Sequence, residues 1–128
     1  MEITIPKVLA EVTAVHDRYE AALTRNDVDV LNELFWTNEL TLRYGIGENL
    51  YGHDAIADFR AARDPSDAAR TTGPVVVTTY GRNFGTANLE FHRDSMGKSA
   101  IGRQSQSWAR MPEGWRIVAA HVSVIHPQ

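Results

Sequence analysis

The chain has 128 residues, 43% hydrophobic and 23% charged, which is the composition of one ordinary globular domain over residues 1–128. Its formal charge of −3 and its scattered arginines argue against nucleic acid as a partner. The absence of cysteine excludes disulfides and thiolate chemistry and fits a cytoplasmic protein. No apolar run approaches the roughly 18 residues that a membrane span needs, so we expect no membrane partner.

The first third of the chain has the periodicity of amphipathic helices. From Val8 onward, apolar residues recur at intervals of three and four, as the buried face of a helix requires: Val12, Val15, Tyr19, Ala22 and Leu23. Asn26 is then placed to cap a second helix over residues 27–36, which has two aspartates in its first turn. We therefore predict two helices before the first strand.

Two short strands and a third helix come next. Residues 40–44 alternate between apolar and polar, which predicts a strand, and Gly45 and Gly47 supply a turn into residues 48–51. The third helix is predicted to begin at residues 52–54 and to carry Ile56, Phe59 and Ala62 toward the core.

After Pro65 the pattern changes to that of long strands, predicted over residues 74–80, 85–92, 98–110 and 115–126. Gly81, residues 94–97 and residues 112–114 separate them, and each separator has the composition of a hairpin connection. Because helices precede most of the strands, the sequence predicts an α+β fold in which the helices cover one face of a bent sheet.

Four segments of the chain carry a resemblance to a known family. They are Leu-Phe-Trp at 34–36, Arg-Tyr-Gly-Ile-Gly-Glu-Asn-Leu-Tyr-Gly at 43–52, Gly-Arg-Gln-Ser-Gln-Ser-Trp at 102–108, and Gly-Trp-Arg-Ile-Val-Ala-Ala-His-Val-Ser at 114–123. The last resembles the closing strands of the nuclear transport factor 2-like (SnoaL-like) superfamily. The first three, more narrowly, resemble the AtzH-like proteins, which are encoded with bacterial amidases of oxalurate and cyanuric acid catabolism.

The resemblance implies a cone-shaped fold in which three helices wrap a curved, mixed or antiparallel sheet, with homodimerisation through the outer sheet face. It also implies an activity, the decarboxylation of 1,3-dicarboxyurea to allophanate. The tyrosine and the arginine that this family carries on its first helix and first strand fall on Tyr19 and Arg43. Both are expected to be catalytic, and Arg43 is also expected to bind the substrate.

This chemistry needs no metal and no organic cofactor. Loss of carbon dioxide from an N-carboxyurea leaves negative charge on nitrogen, so catalysis needs a cation to position the anionic ureide and a donor to protonate the nitrogen. The planar fork of Arg43 suits a carboxylate, and the phenol of Tyr19 is a donor at neutral pH. Considered without the resemblance, Tyr19 belongs to an apolar helix stripe, and alternation places Arg43 on the solvent side of its strand.

Other candidate residues lie on the last strands. Gln104 and Gln106 share a strand face with Trp108, and their amides suit a ureide as substrate-binding groups, whereas Arg103, Ser105 and Ser107 have the opposite parity and suit a dimer partner. His121 is expected to be either a hydrogen-bonded structural residue or a general base, and His16 either a structural residue or part of the lining of the same substrate cavity as Tyr19. The five histidines show no metal-ligand spacing, so no metal site is expected.

Two other functions compete with the decarboxylase. A ketosteroid-isomerase-like enzyme would need a carboxylate base in the pocket, for which Glu48 and Glu90 are the candidates. A non-catalytic ureide-binding protein, or an accessory subunit of a neighbouring amidase, would present an exposed apolar patch and turn over no small molecule. The outer sheet face could supply that patch, although homodimerisation would use it equally well.

Overall fold

The computed structural model describes residues 1–67 and 69–127. In this part of the chain the helices are α1 (Pro6–Arg25), α2 (Val28–Leu34) and α3 (His53–Ala62). The strands are β1 (Leu42–Tyr44), β2 (Asn49–Tyr51), β3 (Thr71–Thr72), β4 (Val76–Tyr80), β5 (Phe84–His92), β6 (Ile101–Met111) and β7 (Gly114–Ile125). None of the helices within these residues is long and apolar enough to cross a membrane.

The junction between α1 and α2 differs from the prediction. Asn26 ends α1 in the left-handed conformation, with φ 52° and ψ 43°, and does not cap α2. Asp27 is the cap, because its side chain accepts a hydrogen bond of 3.2 Å from the Val30 backbone N–H. The predicted extension of α2 to Trp36 is also wrong, since Phe35 has extended backbone angles and forms a parallel bridge to Ile117.

The strands form one mixed sheet in the order β2-β1-β7-β6-β5-β3, and β4 pairs with β5 along the same edge as β3. β1 runs parallel to β7, whereas the other neighbouring strands are antiparallel. The four long strands were predicted to within a few residues, and β3 was not predicted. Gly114 has a φ of 126° in the turn between β6 and β7, a conformation that favours glycine. The predicted α+β fold is confirmed.

The two faces of the sheet are distinguished best along β6. Its inner face carries the buried residues Gln104, Gln106 and Trp108, and its outer face carries Arg103, Ser105 and Ser107, which are exposed or half-buried. The parity predicted for this strand therefore agrees with the structure. Homodimerisation through the outer face stays a prediction.

A β-bulge in β7 determines which of its residues face inward. Ser107 pairs with Ala119, but Trp108 pairs with Ile117, so Val118 is the extra residue. Ile117 is fully buried before the bulge, and Ala120 and Val122 are buried after it. The inward-facing positions thus change from odd to even numbers along the strand.

The main core lies between the inner face and the helices. It joins one face of α1 to α2, α3 and the centre of the sheet: Val8, Val12, Tyr19, Leu31, Phe35, Ile56, Trp108 and Ile117 are among its members. On α3 the prediction was right for Ile56 and wrong for Phe59 and Ala62, which are exposed. Arg60 takes the buried position one turn after Ile56 and is 5% exposed.

Candidate active site

A cavity of about 460 Å³ opens on the inner side, where β1 and β7 approach the end of α3 and the segment that follows β5. Its wall combines cationic, aromatic and aliphatic side chains from these elements, including Arg43, Glu48, Phe59, Arg63, Arg93 and Val122. A cavity of this size admits a small organic molecule. The cations in its wall favour an anion.

Arg43 projects into this cavity from β1. The parallel pairing with β7 sets it opposite Ala120, which is buried on the inner face. Its Nη1 donates a hydrogen bond of 3.2 Å to Glu48 Oε1, and its guanidinium carbon lies 5.6 Å from the centre of the Phe59 ring. The side chain of Arg43 is 15% exposed. The guanidinium is therefore held by a carboxylate and a ring at the cavity wall.

Alternation along β1 predicted that Arg43 faces solvent, and that interpretation is wrong. Tyr44 lies on the outer face instead, where its ring centre is 5.9 Å from that of Tyr51 and 5.8 Å from that of His121. Because successive residues of a strand point to opposite sides, Arg43 faces inward. The apolar residues of β1 cover the outer face, and the arginine is left to the cavity.

Tyr19 is buried behind the cavity wall, with 4% of the residue exposed. Its ring packs edge-on against Phe35, with ring centres 6.2 Å apart, and Tyr19 lies near enough to Arg60 to oppose the lowering of the pKa of that guanidinium. Arg60 and Arg93 both interact electrostatically with Tyr19 and with Arg43. The two predicted catalytic residues thus meet around one group of arginines, although Arg43 lines the cavity and Tyr19 does not.

That group, the arginine cluster, consists of Arg43, Arg60, Arg63, Arg70 and Arg93. Burial lowers the pKa of the Arg60 guanidinium, and so do the nearby charges of Arg43 and Arg63, while Tyr19 opposes the shift. Burial likewise lowers the pKa of Arg93, and its arginine neighbours add to the effect. Burying cations costs free energy unless they are paired. An anion that entered the cavity would lower this cost.

Carboxylates contact members of the cluster. Glu48 pairs with Arg43, and Glu20 pairs with Arg70, whose side chain is 1% exposed. Arg60 donates a hydrogen bond of 3.1 Å to Asn32 Oδ1 and lies 5.1 Å from the centre of the Phe35 ring. Arg43 and Arg70 are thus each paired with a carboxylate, whereas Arg60 is held by an amide and an aromatic ring.

Gln104 and Gln106 are buried on the inner face, and the contacts of both amides are with protein groups. Gln104 Oε1 accepts a hydrogen bond of 3.0 Å from Arg70, and its amide donates one of 3.4 Å to Glu20. Gln106 Oε1 accepts one of 3.1 Å from Trp108 Nε1. Gln104 therefore orients the Arg70–Glu20 pair. That either glutamine binds substrate stays a prediction.

His16 lies on the inner face of α1, one turn before Tyr19 and Glu20, and is 2% exposed. Its Nε2 is 3.9 Å from Glu20 Oε1, and neither ring nitrogen has a hydrogen-bond partner in the described part of the chain. Burial lowers the pKa of His16, although Glu20 and Asp17 oppose the shift. The imidazole is accordingly neutral at neutral pH.

Two residues considered from the sequence lie away from the cavity. His121 is exposed on the outer face against Tyr44, because the bulge at Val118 turns it outward. Glu90 was a candidate pocket acid and is wrong in that role, since it is exposed and alternates with the inward-facing Leu89 and Phe91. Within residues 1–67 and 69–127, no three histidine, aspartate or glutamate side chains are grouped so that they could hold a metal ion.

The sequence analysis missed most of the arginine cluster. A signal existed for Arg60, which follows Ile56 by four residues on the buried stripe of α3. A weaker one existed for Arg93, which has the same strand parity as Leu89 and Phe91. Arg70 precedes a strand of two residues and carries no periodic signal.

Comparison with known proteins gives one family and several structures. The AtzH-like family model matches residues 1–128, and no curated protein matches the chain. A structure from Pectobacterium atrosepticum, a protein of unknown function in the DUF3225 family, is 54% identical, with 96% of this chain and 94% of that chain covered and a TM-score of 0.91. A cystatin-like fold protein from Burkholderia xenovorans is 43% identical, with 100% and 99% covered and a TM-score of 0.92.

A more distant structure places the fold in its superfamily. It is a nuclear transport factor 2-like protein from Salmonella enterica, 28% identical, with 91% of this chain and 90% of that chain covered and a TM-score of 0.72. The helices and mixed sheet described above have this fold, and the family model extends along the whole sequence. The chain belongs to the AtzH-like family, with a nuclear transport factor 2-like fold.

Proposed function

We propose that this protein is a cofactor-independent decarboxylase of a small N-carboxylated urea, converting 1,3-dicarboxyurea to allophanate in cyanuric acid or related ureide catabolism. The observation that supports it best is the arginine cluster beside a buried tyrosine. A dianionic ureide neutralises part of the charge of this cluster, and the tyrosine supplies the proton that decarboxylation requires. Membership of the AtzH-like family supports the same substrate class.

The reaction is a carbon–nitrogen bond cleavage. Arg43 holds a carboxylate of the substrate through two parallel hydrogen bonds, which fixes the ureide in the cavity. The bond between the carboxylate carbon and nitrogen breaks, its electron pair stays on nitrogen, and carbon dioxide leaves. Tyr19 lies behind the cavity wall, so the substrate must reach past that wall before the nitrogen takes the proton of the Tyr19 hydroxyl; the phenolate then recovers a proton from solvent.

Arg60 gives this step an electrostatic basis. Its guanidinium interacts electrostatically with the Tyr19 side chain, so a positive charge already lies near the oxygen that becomes negative when the proton is transferred. The contacts of Arg60 with Asn32 and the Phe35 ring hold it there before the reaction. The charge of the intermediate thus develops next to a fixed cation and requires little reorganisation.

The other functions fit the cavity less well. A ketosteroid-isomerase-like enzyme needs an apolar pocket and a free carboxylate base, whereas this cavity is cationic and Glu48 is paired with Arg43. Glu20, near His16, is likewise paired, with Arg70. A ureide-binding or accessory protein would share the cavity, and turnover is what separates it from an enzyme.

The test is turnover of freshly generated 1,3-dicarboxyurea, with allophanate formation measured against the spontaneous rate. We expect Tyr19→Phe to lower the catalysed rate about a hundredfold or more, because it removes the proton donor and keeps the ring that packs on Phe35. Tyr80→Phe is the matched control, since Tyr80 does not line the cavity and its change should leave the rate intact. Full activity of Tyr19→Phe would exclude the proposed role, and no turnover by the unaltered protein would favour a binding protein.

A further inference from the structure

Two of the arginines that line the cavity, Arg43 and Arg93, differ in their partners. Arg43 is paired with Glu48 at 3.2 Å. Arg93 lies 4.9 Å from the centre of the Phe91 ring, and its Nε is buried without a hydrogen-bond partner among the described residues. No carboxylate pairs with Arg93 among the side chains that the structure describes. The cavity therefore contains a cation whose charge the described protein groups do not balance.

The two guanidinium groups also reach the cavity from strands toward opposite edges of the sheet. Arg43 belongs to β1, and Arg93 directly follows β5, with β7 and β6 between them. Arg43 is in register with Ala87 of β5, and Arg93 follows Ala87 by six residues, so in a flat sheet their backbones would be about 24 Å apart. Both long side chains line the same cavity of about 460 Å³, so the space between their charged ends is that of one small molecule.

We infer that Arg93 is a second carboxylate subsite and that the cavity selects linear dicarboxylates with an anionic group at each end. One carboxylate binds at Arg43, the other binds at Arg93, and the short chain between them lies against the apolar wall formed by Phe59 and Val122. This inference rests on the proposed function for the identity of the natural ligand. The charge and geometry of the subsite do not depend on turnover.

The second subsite has a consequence for the reaction. Loss of one carbon dioxide converts a ligand with two carboxylates into a product with one, so one of the two arginine contacts is lost when the bond breaks. Because each charged contact contributes to affinity, the product binds more weakly than the substrate and leaves. The enzyme therefore removes a single carboxylate and stops.

The test uses unreactive probes. Glutarate has the same number of chain atoms as 1,3-dicarboxyurea and a carboxylate at each end, whereas butyrate has one carboxylate. Affinities of both are measured by titration calorimetry at constant ionic strength for the unaltered protein, Arg93→Gln and Arg93→Lys. We expect Arg93→Gln to weaken glutarate binding about tenfold to a hundredfold and to change butyrate binding little, with Arg93→Lys between the two.

Arg103→Gln is the matched control, because it removes the same charge from the outer face of the sheet. It should leave the preference for glutarate over butyrate intact. The inference is overturned if the unaltered protein shows no preference for glutarate, or if Arg93→Gln weakens both probes equally or neither. Far-ultraviolet circular dichroism and the melting temperature of each variant show whether the fold is kept, and Arg93→Lys keeps the test decisive if Arg93→Gln unfolds.

The inference and the proposed function fail in different ways. If 1,3-dicarboxyurea is not turned over but glutarate binding depends on Arg93, the subsite stands and the decarboxylase is excluded. If turnover requires Tyr19 but the glutarate preference does not depend on Arg93, the decarboxylase stands and the subsite is wrong. A turnover assay of Arg93→Gln adds a further distinction, since loss of a substrate contact raises KM.

Discussion

The two faces of β6 are built from alternate residues of one strand and have opposite properties. The inner residues Gln104 and Gln106 are buried amides bonded to Arg70, Glu20 and Trp108. The outer residues Arg103 and Ser105 are exposed. A cation on the outer face, such as Arg103, is hydrated and adds little to the free energy of folding. The buried cations of the arginine cluster, on the inner side of the sheet, have lost most of their water.

This difference indicates where the protein gives up stability for function. Arg60 occupies a helix position that an apolar residue would fill at lower cost, one turn after Ile56. Arg103 is on the surface, where an arginine is ordinary. Buried cations that a carboxylate does not neutralise are therefore the informative charges of this molecule, and substitutions on the two faces should have unequal effects.

The largest expected effect is on stability. Trp108→Ala removes a fully buried indole from the inner face and leaves Gln106 Oε1 without its donor, so the free energy of unfolding should fall by about 3–5 kcal/mol. Ser107→Ala, one residue away on the outer face, should change it by less than about 0.5 kcal/mol. Urea denaturation of both variants measures the difference, and equal effects would contradict the assignment of the two faces.

The next effect is on catalysis. Arg43→Gln, made together with Glu48→Gln so that no carboxylate is left unpaired, should lower kcat/KM for 1,3-dicarboxyurea about a hundredfold, because a charged contact with the substrate is lost. Arg103→Gln removes an arginine from the outer face and should leave kcat/KM unchanged. Equal loss in both variants would show that the rate does not depend specifically on the cavity arginine.

The smallest effect is a dependence of stability on pH. Burial lowers the pKa of His16 below its ordinary value of 6.5, so the folded protein resists a proton that the unfolded chain accepts. The free energy of unfolding should therefore fall as the pH drops below about 6.5, by at most about 1.4 kcal/mol per pH unit for one proton.

The variant His16→Gln isolates this contribution. The groups that act on His16 are Glu20 and Asp17, which favour its protonation, and Arg70, which opposes it. In His16→Gln the free energy of unfolding should change less between pH 7.5 and pH 5.5 than in the unaltered protein. Urea denaturation at both values measures it, and the same slope in the two proteins would show that other groups carry the pH dependence.

Sequence reasoning was most successful where one element decides the outcome. Tyr19 lies on the buried stripe of α1 because helical spacing places it there, and the two glutamines share the face of Trp108 because strands alternate. The alternation of residues along β1 gave the wrong side for Arg43. The side that β1 turns inward is fixed by its pairing with β7, a neighbour that is remote in the sequence.

The arginine cluster shows the same limit more strongly. Its members come from β1, α3, the residue after α3, the residue before β3 and the residue after β5. No local pattern unites these positions, because only the tertiary fold brings them together. Charge counting conceals them as well, since acidic residues elsewhere make the whole chain negative.

The extra residue in β7 means that the direction of each later side chain cannot be found by counting from Ile117. Removing Val118 would remove the bulge itself, so that Ile117, Ala119, Ala120 and His121 would alternate strictly, Ala120 would still lie opposite Arg43, and His121 would still face outward. One codon deleted at the bulge would thus leave the inner and outer side chains of the strand unchanged. When relatives of this protein are aligned, a gap of one residue between residues 117 and 120 therefore leaves the same closing residues facing the cavity.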